Sequence, residues 1–253
     1  MSAEKRRPSI FWALASAVLP PASLLFRFDI RGELPQEGPF ILAPNHQSEI
    51  DPLLMGIATW KLGRQPRFMA KESLFKGFVG RILEASGQIP VSRDPRKGNA
   101  QAMDAARMLV ENGAGVIIYP EGTLTRDPDL WPMRGKNGAA RIALARGIPV
   151  YPAAHWGVQD VFPRYAKKPR LGFRKRIVVN VGPPVDLSEF EGRGTSASAL
   201  NAATEKIMRE ITALLEPIRG ATAPAELWDP AKQGQTEHGR VIERDAGAAE
   251  AGA

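Results

Sequence analysis

Short apolar runs bounded by glycine, proline or asparagine recur along the chain and form its most regular pattern. Runs of this length that are rich in Val and Ile are typical of strands buried in a sheet. The pattern therefore predicts strands at residues 40–43, 67–70, 87–91, 115–119, 148–154 and 176–181.

Between these runs, apolar residues recur at the three- and four-residue spacing of an amphipathic helix. Asp51-Pro52 is a typical helix start, because Asp caps helices and Pro fits the first turn. Helices are predicted at residues 51–63, 99–111, 138–146 and 196–215. This alternation indicates the α/β class: a single domain with a largely parallel mixed sheet that is flanked by helices.

The amino terminus combines three bases with a long uncharged stretch, residues 8–26. A spanning helix needs about 20 apolar residues, and we expect Pro20-Pro21 to break the stretch into two shorter pieces. Residues 1–28 are therefore predicted to be an amphipathic or apolar helical membrane anchor that lies in the interface. A spanning helix, a signal peptide and a plain core-facing helix remain alternatives.

The remaining boundaries follow from composition. Residues 29–219 are predicted to form the folded domain. Residues 220–253 are rich in Ala, Gly and Pro, carry mixed charge and have little to bury, so a disordered tail is expected there. The chain has no cysteine, which excludes disulfides and a thiolate nucleophile. Its net charge of +7 favours an anionic partner, such as a membrane, a phosphorylated substrate or nucleic acid.

The candidate chemistry lies in residues 44–52, between the first predicted strand and the first predicted helix. His46 and Asp51 could not meet within a regular helix, because residues five apart point in different directions. Pro52 disfavours helical backbone at Asp51, so a turn could fold His46 back onto the carboxylate. By spacing alone, Asp51 could equally be a helix cap and His46 a polar residue at a strand end.

Other segments give this pair a context. Asn45 to Asp51 resembles the first motif of the bacterial 1-acylglycerol-3-phosphate acyltransferase (lysophosphatidate acyltransferase) family. The segments that resemble its later motifs, in the same order, are residues 70–75, 87–93, 119–123 and 148–152. The resemblance spans about residues 38 to 185.

The resemblance implies an O-acyltransferase that moves a fatty acyl group to the free hydroxyl of 1-acylglycerol 3-phosphate, giving phosphatidate. His46 would be the general base and Asp51 its partner, with no acyl-enzyme. Neither a metal nor a cofactor is implied; acyl-CoA or acyl carrier protein would be the co-substrate. The implied substrate-binding residues are Lys71, Arg93, Glu121, Gly122, Thr123 and Arg126.

One position departs from the family pattern. The family usually has Arg after Glu-Gly-Thr, where this chain has Leu124, and Arg126 matches a second arginine often found there. We expect Glu121 to hold Arg93 or Arg126 in place, or to accept from a glycerol hydroxyl. Ser48 is expected to serve the turn rather than act as a nucleophile.

The expected partners are the membrane lipid surface, lysophosphatidate and the acyl donor, with no nucleic acid. The expected location is the cytoplasmic face of the cell membrane, as a peripheral or monotopic protein. One alternative is acyl transfer to another lipid acceptor, such as glycerol 3-phosphate, a lysophospholipid or a glycolipid. Another is a basic protein that binds membranes or nucleic acid without catalysis.

Overall fold

The computed structural model of the protein describes residues 2, 9–91, 98–170, 172, 174–190, 192 and 196–235. Its strands are β1 (Phe26–Arg31), β2 (Phe40–Pro44), β3 (Met69–Lys71), β4 (Ile89–Val91), β5 (Gly115–Ile117), β6 (Val150–Trp156) and β7 (Lys175–Val181). Its α-helices are α1 (Ile10–Leu25), α2 (Asp51–Lys61), α3 (Gly77–Ala85), α4 (Gly98–Asn112), α5 (Gly138–Arg146) and α6 (Ala197–Arg219).

Five strands form one sheet in the order β1-β7-β6-β2-β5. β6 and β7 pair antiparallel, whereas the neighbouring pairs are parallel, so the predicted largely parallel mixed sheet is confirmed. β3 and β4 form a small parallel pair, which a bridge from Phe68 to Ile117 joins to the edge of the larger sheet. β5 is shorter than predicted, because the chain leaves the sheet before Pro120.

Helices cover both faces of the sheet, and successive residues of β2 point to opposite faces. Ile41 and Ala43 belong to the core cluster under α4, α5 and α6. Phe40 and Leu42 belong to the cluster under α1 and α2. All five residues of β2 are buried, as is typical of a central parallel strand between two helical layers.

The carboxyl ends of β2, β5 and β6 lie side by side, since these strands run parallel. Ligands in open α/β sheets bind beyond such ends. The segments predicted to carry the chemistry, residues 44–52 and 119–123, therefore follow neighbouring strands at the same edge of the sheet.

The amino-terminal helix differs from the expectation. α1 runs unbroken from Ile10 to Leu25 with both prolines inside it, and the two prolines are exposed. The predicted break is therefore wrong. α1 packs along the domain, and its Trp12 ring contacts the Trp60 ring of α2 edge to face, with the ring centroids 5.3 Å apart. Within the described ranges, no helix is both long and apolar enough to cross a bilayer.

The stretch after α6 also differs from the expectation. Disorder was expected from residue 220, yet residues 221–235 have defined contacts. Trp228 forms a bridge with Met133, and its carbonyl accepts from the Arg134 amide at 2.8 Å. A single Trp can bury a large apolar area. The composition of the stretch as a whole did not indicate this contribution of Trp228. Residues 236–253 lie outside the described residues.

Candidate active site

His46 and Asp51 meet in the turn between β2 and α2, as predicted. Asp51 Oδ2 lies 2.9 Å from His46 Nδ1 and also accepts from the backbone amides of Gln47 (2.6 Å) and Ser48 (2.8 Å). We expected Asp51 to be the N-cap of α2, but Ile50 is the N-cap and Asp51 is the first residue of the helix. The Asp51 carboxylate turns back to the amides that precede the helix. The Asp51 side chain is fully buried, and 16% of the His46 side chain is exposed.

This geometry determines the tautomer of His46. A carboxylate accepts hydrogen bonds, so Nδ1 carries the proton and Nε2 keeps its lone pair. The exposed fraction of the imidazole gives a substrate access to the ring. The pair therefore has the arrangement of a general base with an orienting carboxylate.

Tyr119 holds the imidazole from its face. The two ring centroids are 4.1 Å apart with an interplanar angle of 27°. Burial, with a smaller effect of Asp51, raises the pKa of the Tyr119 phenol well above its usual range, so the ring stays neutral. We did not predict this role; the only signal was an aromatic residue before Pro-Glu-Gly.

Glu121 joins the third predicted motif to the first through the backbone. Its fully buried carboxyl group accepts from the amides of His46 (2.9 Å) and Met133 (3.1 Å). The His46 carbonyl in turn accepts from the Thr125 amide at 2.7 Å. These contacts fix the main chain of His46, a positioning role that we did not predict. The expected contact of Glu121 with an arginine or with a glycerol hydroxyl stays a prediction.

Burial raises the pKa of Glu121 to about 8, against the opposing effect of its hydrogen bonds. The folded protein thus holds a proton that the unfolded chain releases at lower pH. This proton stabilises the fold at low pH, and the stabilisation is lost as the pH rises towards 8.

Glu121→Gln should therefore flatten the fall of the unfolding free energy between pH 5 and pH 8. The expected difference in slope is up to about 1.4 kcal/mol per pH unit. The amide nitrogen of Gln would also face one of the two N–H donors and lower stability at every pH. Denaturant titrations across this range measure both effects; parallel curves for the two proteins would contradict the raised pKa.

Asn45 and His155 connect the turn that holds His46 and Asp51 to the end of β6. The Asn45 side chain bonds both backbone groups of His155 (3.2 and 2.8 Å), and His155 Nε2 lies 2.8 Å from the Asn45 carbonyl. Since that carbonyl only accepts, Nε2 carries the proton, 3.6 Å from Asp51 Oδ2. His155 is 1% exposed and lies in the core.

Ser48 serves the turn. Its hydroxyl donates to the Phe162 carbonyl at 2.6 Å and accepts from the Ile50 amide at 3.4 Å. The side chain is fully buried. A hydroxyl with its proton committed to a carbonyl has no base to activate it, which agrees with the structural role we expected.

The other predicted substrate-binding residues are placed as follows. Gly122 and Thr123 continue the turn after Glu121, with Gly122 exposed and at a φ of 69°. Arg126 is buried at 3% exposure. Lys71 ends β3, but the description does not extend to its side chain, and Arg93 lies outside the described residues. In the ranges described, no group of three or more His, Cys, Asp or Glu could hold a metal ion.

An apolar groove of about 360 Å³ begins at the first turn of α2. It lies between α1, α2 and α3, and Pro52, which follows Asp51, contributes to its wall. Further lining residues include Phe11, Val18, Leu53, Gly56, Trp60 and Ile82. The groove thus reaches the residue that follows Asp51 in the chain.

Comparison with known proteins agrees with this arrangement. The chain is 28% identical over 183 residues to the chloroplastic 1-acyl-sn-glycerol-3-phosphate acyltransferase BAT2 of Brassica napus, covering 70% of this chain and 52% of that protein. It is 31% identical over 163 residues to 1-acyl-sn-glycerol-3-phosphate acyltransferase alpha of Bos taurus, covering 63% and 54%. The chain thus spans about half the length of these curated relatives.

A solved structure shares the fold. The crystal structure of the 1-acyl-sn-glycerophosphate (LPA) acyltransferase PlsC from Thermotoga maritima matches with a TM-score of 0.62 and 21% identity. The match covers 85% of this chain and 82% of that one. Residues 26–156, which include β1 to β6 and the turn that holds His46 and Asp51, match the Acyltransferase family. The chain belongs to the Acyltransferase family.

Proposed function

We propose that the protein transfers a fatty acyl group from a thioester donor to the free hydroxyl of 1-acylglycerol 3-phosphate. The observation that carries this proposal is the 2.9 Å contact of His46 Nδ1 with Asp51, which leaves the Nε2 lone pair free on a side chain that is 16% exposed. The relatives named 1-acyl-sn-glycerol-3-phosphate acyltransferase support the choice of acceptor.

In the proposed reaction, His46 Nε2 removes the proton of the acceptor hydroxyl as its oxygen attacks the thioester carbonyl. A C–O bond forms, the C–S bond breaks, and the imidazolium returns the proton to the departing thiolate of CoA or acyl carrier protein. Asp51 stabilises the imidazolium by charge and by its hydrogen bond to Nδ1. No acyl-enzyme is formed, which is consistent with the committed hydroxyl of Ser48.

The apolar groove is the proposed site of the donor's acyl chain. Its walls are almost entirely hydrocarbon, and burial of apolar surface contributes about 25 cal/mol per Å². Pro52 lies at its wall, so a chain seated there would bring its thioester towards His46. Holding two reactants in line is worth up to roughly 7–11 kcal/mol in well-oriented systems.

A lipid bilayer is the proposed surface on which the protein works. Large apolar side chains near the groove are exposed on α1, α2 and the segment around α3: Trp12, Leu14, Leu53, Leu74, Phe78 and Val79. Phe78 is 77% exposed, which is unusual for a phenylalanine in contact with water only. A basic chain of net charge +7 would complement anionic lipid on the cytoplasmic leaflet.

A panel of acceptors tests the proposed reaction. Purified protein and radiolabelled acyl-CoA or acyl carrier protein are offered lysophosphatidate, glycerol 3-phosphate, lysophosphatidylcholine and monoacylglycerol. We expect phosphatidate to form at least tenfold faster than any other product. Faster acylation of another acceptor would contradict the proposed choice of substrate. This outcome needs a direct test because Leu124 stands where the family usually has arginine.

A salt titration tests the proposal against a purely electrostatic binder. Binding to nucleic acid or lipid by charge alone weakens steeply with ionic strength. Insertion of exposed apolar side chains should instead keep the protein on vesicles until detergent is added. Release by salt without detergent, together with failure in the acceptor panel, would favour the non-catalytic alternative.

A further inference from the structure

His155 lies at the carboxyl end of β6, beside the turn that holds His46 and Asp51. Pro44 pairs with Ala153 at the end of β2, so the chain enters this turn alongside the last residues of β6. The His155 side chain is almost fully buried and lies outside the segments that resemble the family motifs. An imidazole is thus buried against the turn at a position to which the family resemblance assigns no role.

The peptide group between Asn45 and His46 is held at both of its polar atoms. Its carbonyl oxygen accepts from His155 Nε2 at 2.8 Å, and its amide nitrogen donates to Glu121 Oε1 at 2.9 Å. His155 belongs to β6 and Glu121 follows β5, so the two partners come from strands on opposite sides of β2. Leaving a buried polar group without its partner is costly, and this peptide group cannot rotate without losing two partners. The main chain that leads into His46 is therefore fixed.

The same nitrogen of His155 also lies near the carboxylate that orients the proposed base. Nε2 is 3.6 Å from Asp51 Oδ2, the oxygen that is 2.9 Å from His46 Nδ1. This distance is too long for a hydrogen bond, but a polar N–H group still attracts a carboxylate in the low-dielectric interior. The Asp51 side chain is fully buried, so salt screens this attraction little. One atom of His155 thus acts both on the backbone before His46 and on its partner.

The polar contacts of the His155 imidazole with the turn are made by Nε2. The other ring nitrogen, Nδ1, is buried and has no hydrogen-bond partner among the described residues. The Asn45 side chain bonds the backbone amide and carbonyl of His155, and the Gln47 side chain donates to the same carbonyl at 3.4 Å. Replacing the imidazole therefore removes the contacts of Nε2 and leaves these backbone contacts in place.

We propose that His155 is a positioning residue of the acyl transfer, which through Nε2 fixes both the backbone entering His46 and the carboxylate that orients it. This inference rests on the proposed function, because it names the residue that keeps the proposed base in line. His155 transfers no proton itself, since its Nε2 proton is donated to the Asn45 carbonyl and the ring is almost fully buried. A displacement of about 1 Å at a reacting group can lower the rate roughly 100-fold.

His155→Phe tests the inference, because phenylalanine keeps a flat ring of similar size and has no N–H donor. We expect kcat to fall roughly 10- to 100-fold. The KM values for donor and acceptor should stay within about twofold of wild type, because the change affects the alignment of the base rather than substrate binding. His155→Gln should recover most of the lost kcat, since its amide nitrogen can donate from the position of Nε2.

Val150→Ala is the matched control for lost stability. Val150 is buried and begins β6, at the opposite end of the strand from His155. Its truncation should lower the melting temperature by several degrees and leave kcat within about twofold of wild type. A kcat of His155→Phe close to that of wild type would overturn the inference. An equal fall of kcat in His155→Gln or in Val150→Ala would overturn it as well, because the effect would then not depend on the Nε2 donor.

Amide hydrogen exchange separates this inference from the proposed function, because it needs no substrate. The Gln47 and Ser48 amides donate to Asp51 Oδ2, so their exchange rates report openings of the turn. We expect both amides to exchange roughly tenfold faster in His155→Phe, and at nearly the wild-type rate in His155→Gln and Val150→Ala. If the acceptor panel shows no transfer at all, the proposed function fails, and these rates still decide whether His155 holds the turn. Unchanged rates in His155→Phe would overturn its positioning role whatever the panel shows.

Discussion

Replacing His46 with alanine should lower acyl transfer by roughly 10²–10⁴-fold, because the variant has no base at the attacking hydroxyl. In the proposed reaction the imidazole contributes Nε2, Asp51 orients it and stabilises its charged form, and Tyr119 and Glu121 hold it in place. The rate of product formation at saturating donor and acceptor measures the effect.

The control for His46→Ala is a measurement that the variant still folds. The backbone contacts of His46 with Glu121 and Thr125 do not involve the imidazole, so the far-ultraviolet circular dichroism and binding to vesicles should persist. Transfer that stays within tenfold of wild type would exclude His46 as the general base. Loss of vesicle binding in parallel would point to unfolding instead.

Asp51→Asn should lower kcat by about 10²–10³-fold while the protein still folds, an effect of the size expected when general-base help is impaired. The Asn oxygen can take the place of Oδ2 and accept from His46, Gln47 and Ser48. It carries no charge, so the imidazolium formed during attack loses its partner. Steady-state kinetics beside denaturant unfolding distinguish lost catalysis from lost stability.

Ser48→Ala is the matched control in the same turn. It removes the hydroxyl that donates to Phe162 and leaves the amide that donates to Asp51. We expect a modest loss of stability, about 1 kcal/mol, with kcat within a few-fold of wild type. A loss of transfer equal to that of Asp51→Asn would mean that Ser48 takes part in the chemistry.

The central strands, the helices after them and the contact of His46 with Asp51 were predictable, because each depends on neighbouring residues. The apolar run before Pro44 indicates a buried strand, and Pro52 indicates both the turn and the helix that follows. The two residues of the pair are five positions apart, so local backbone preferences are enough to bring them together.

The parts that could not be predicted depend on distant contacts. β1 alternates charged and apolar residues, and its sequence alone gives only a weak indication of a strand. It becomes an edge strand by pairing with β7. Tyr119 reaches His46 only because β5 lies beside β2. α1 continues through its prolines because α2 supplies a surface for it to pack on. The roles of Arg93 and of the Lys71 side chain stay predictions.

Helix α2 has a mechanical consequence for selectivity. Asp51 begins this helix, and Leu53, Gly56 and Trp60 carry the groove wall along it. If the groove holds the acyl chain as proposed, α2 keeps the groove wall at a fixed distance from the carboxylate that orients His46. Fatty acids of the wrong length would then be rejected by misalignment of the thioester, which lowers turnover even when they bind tightly.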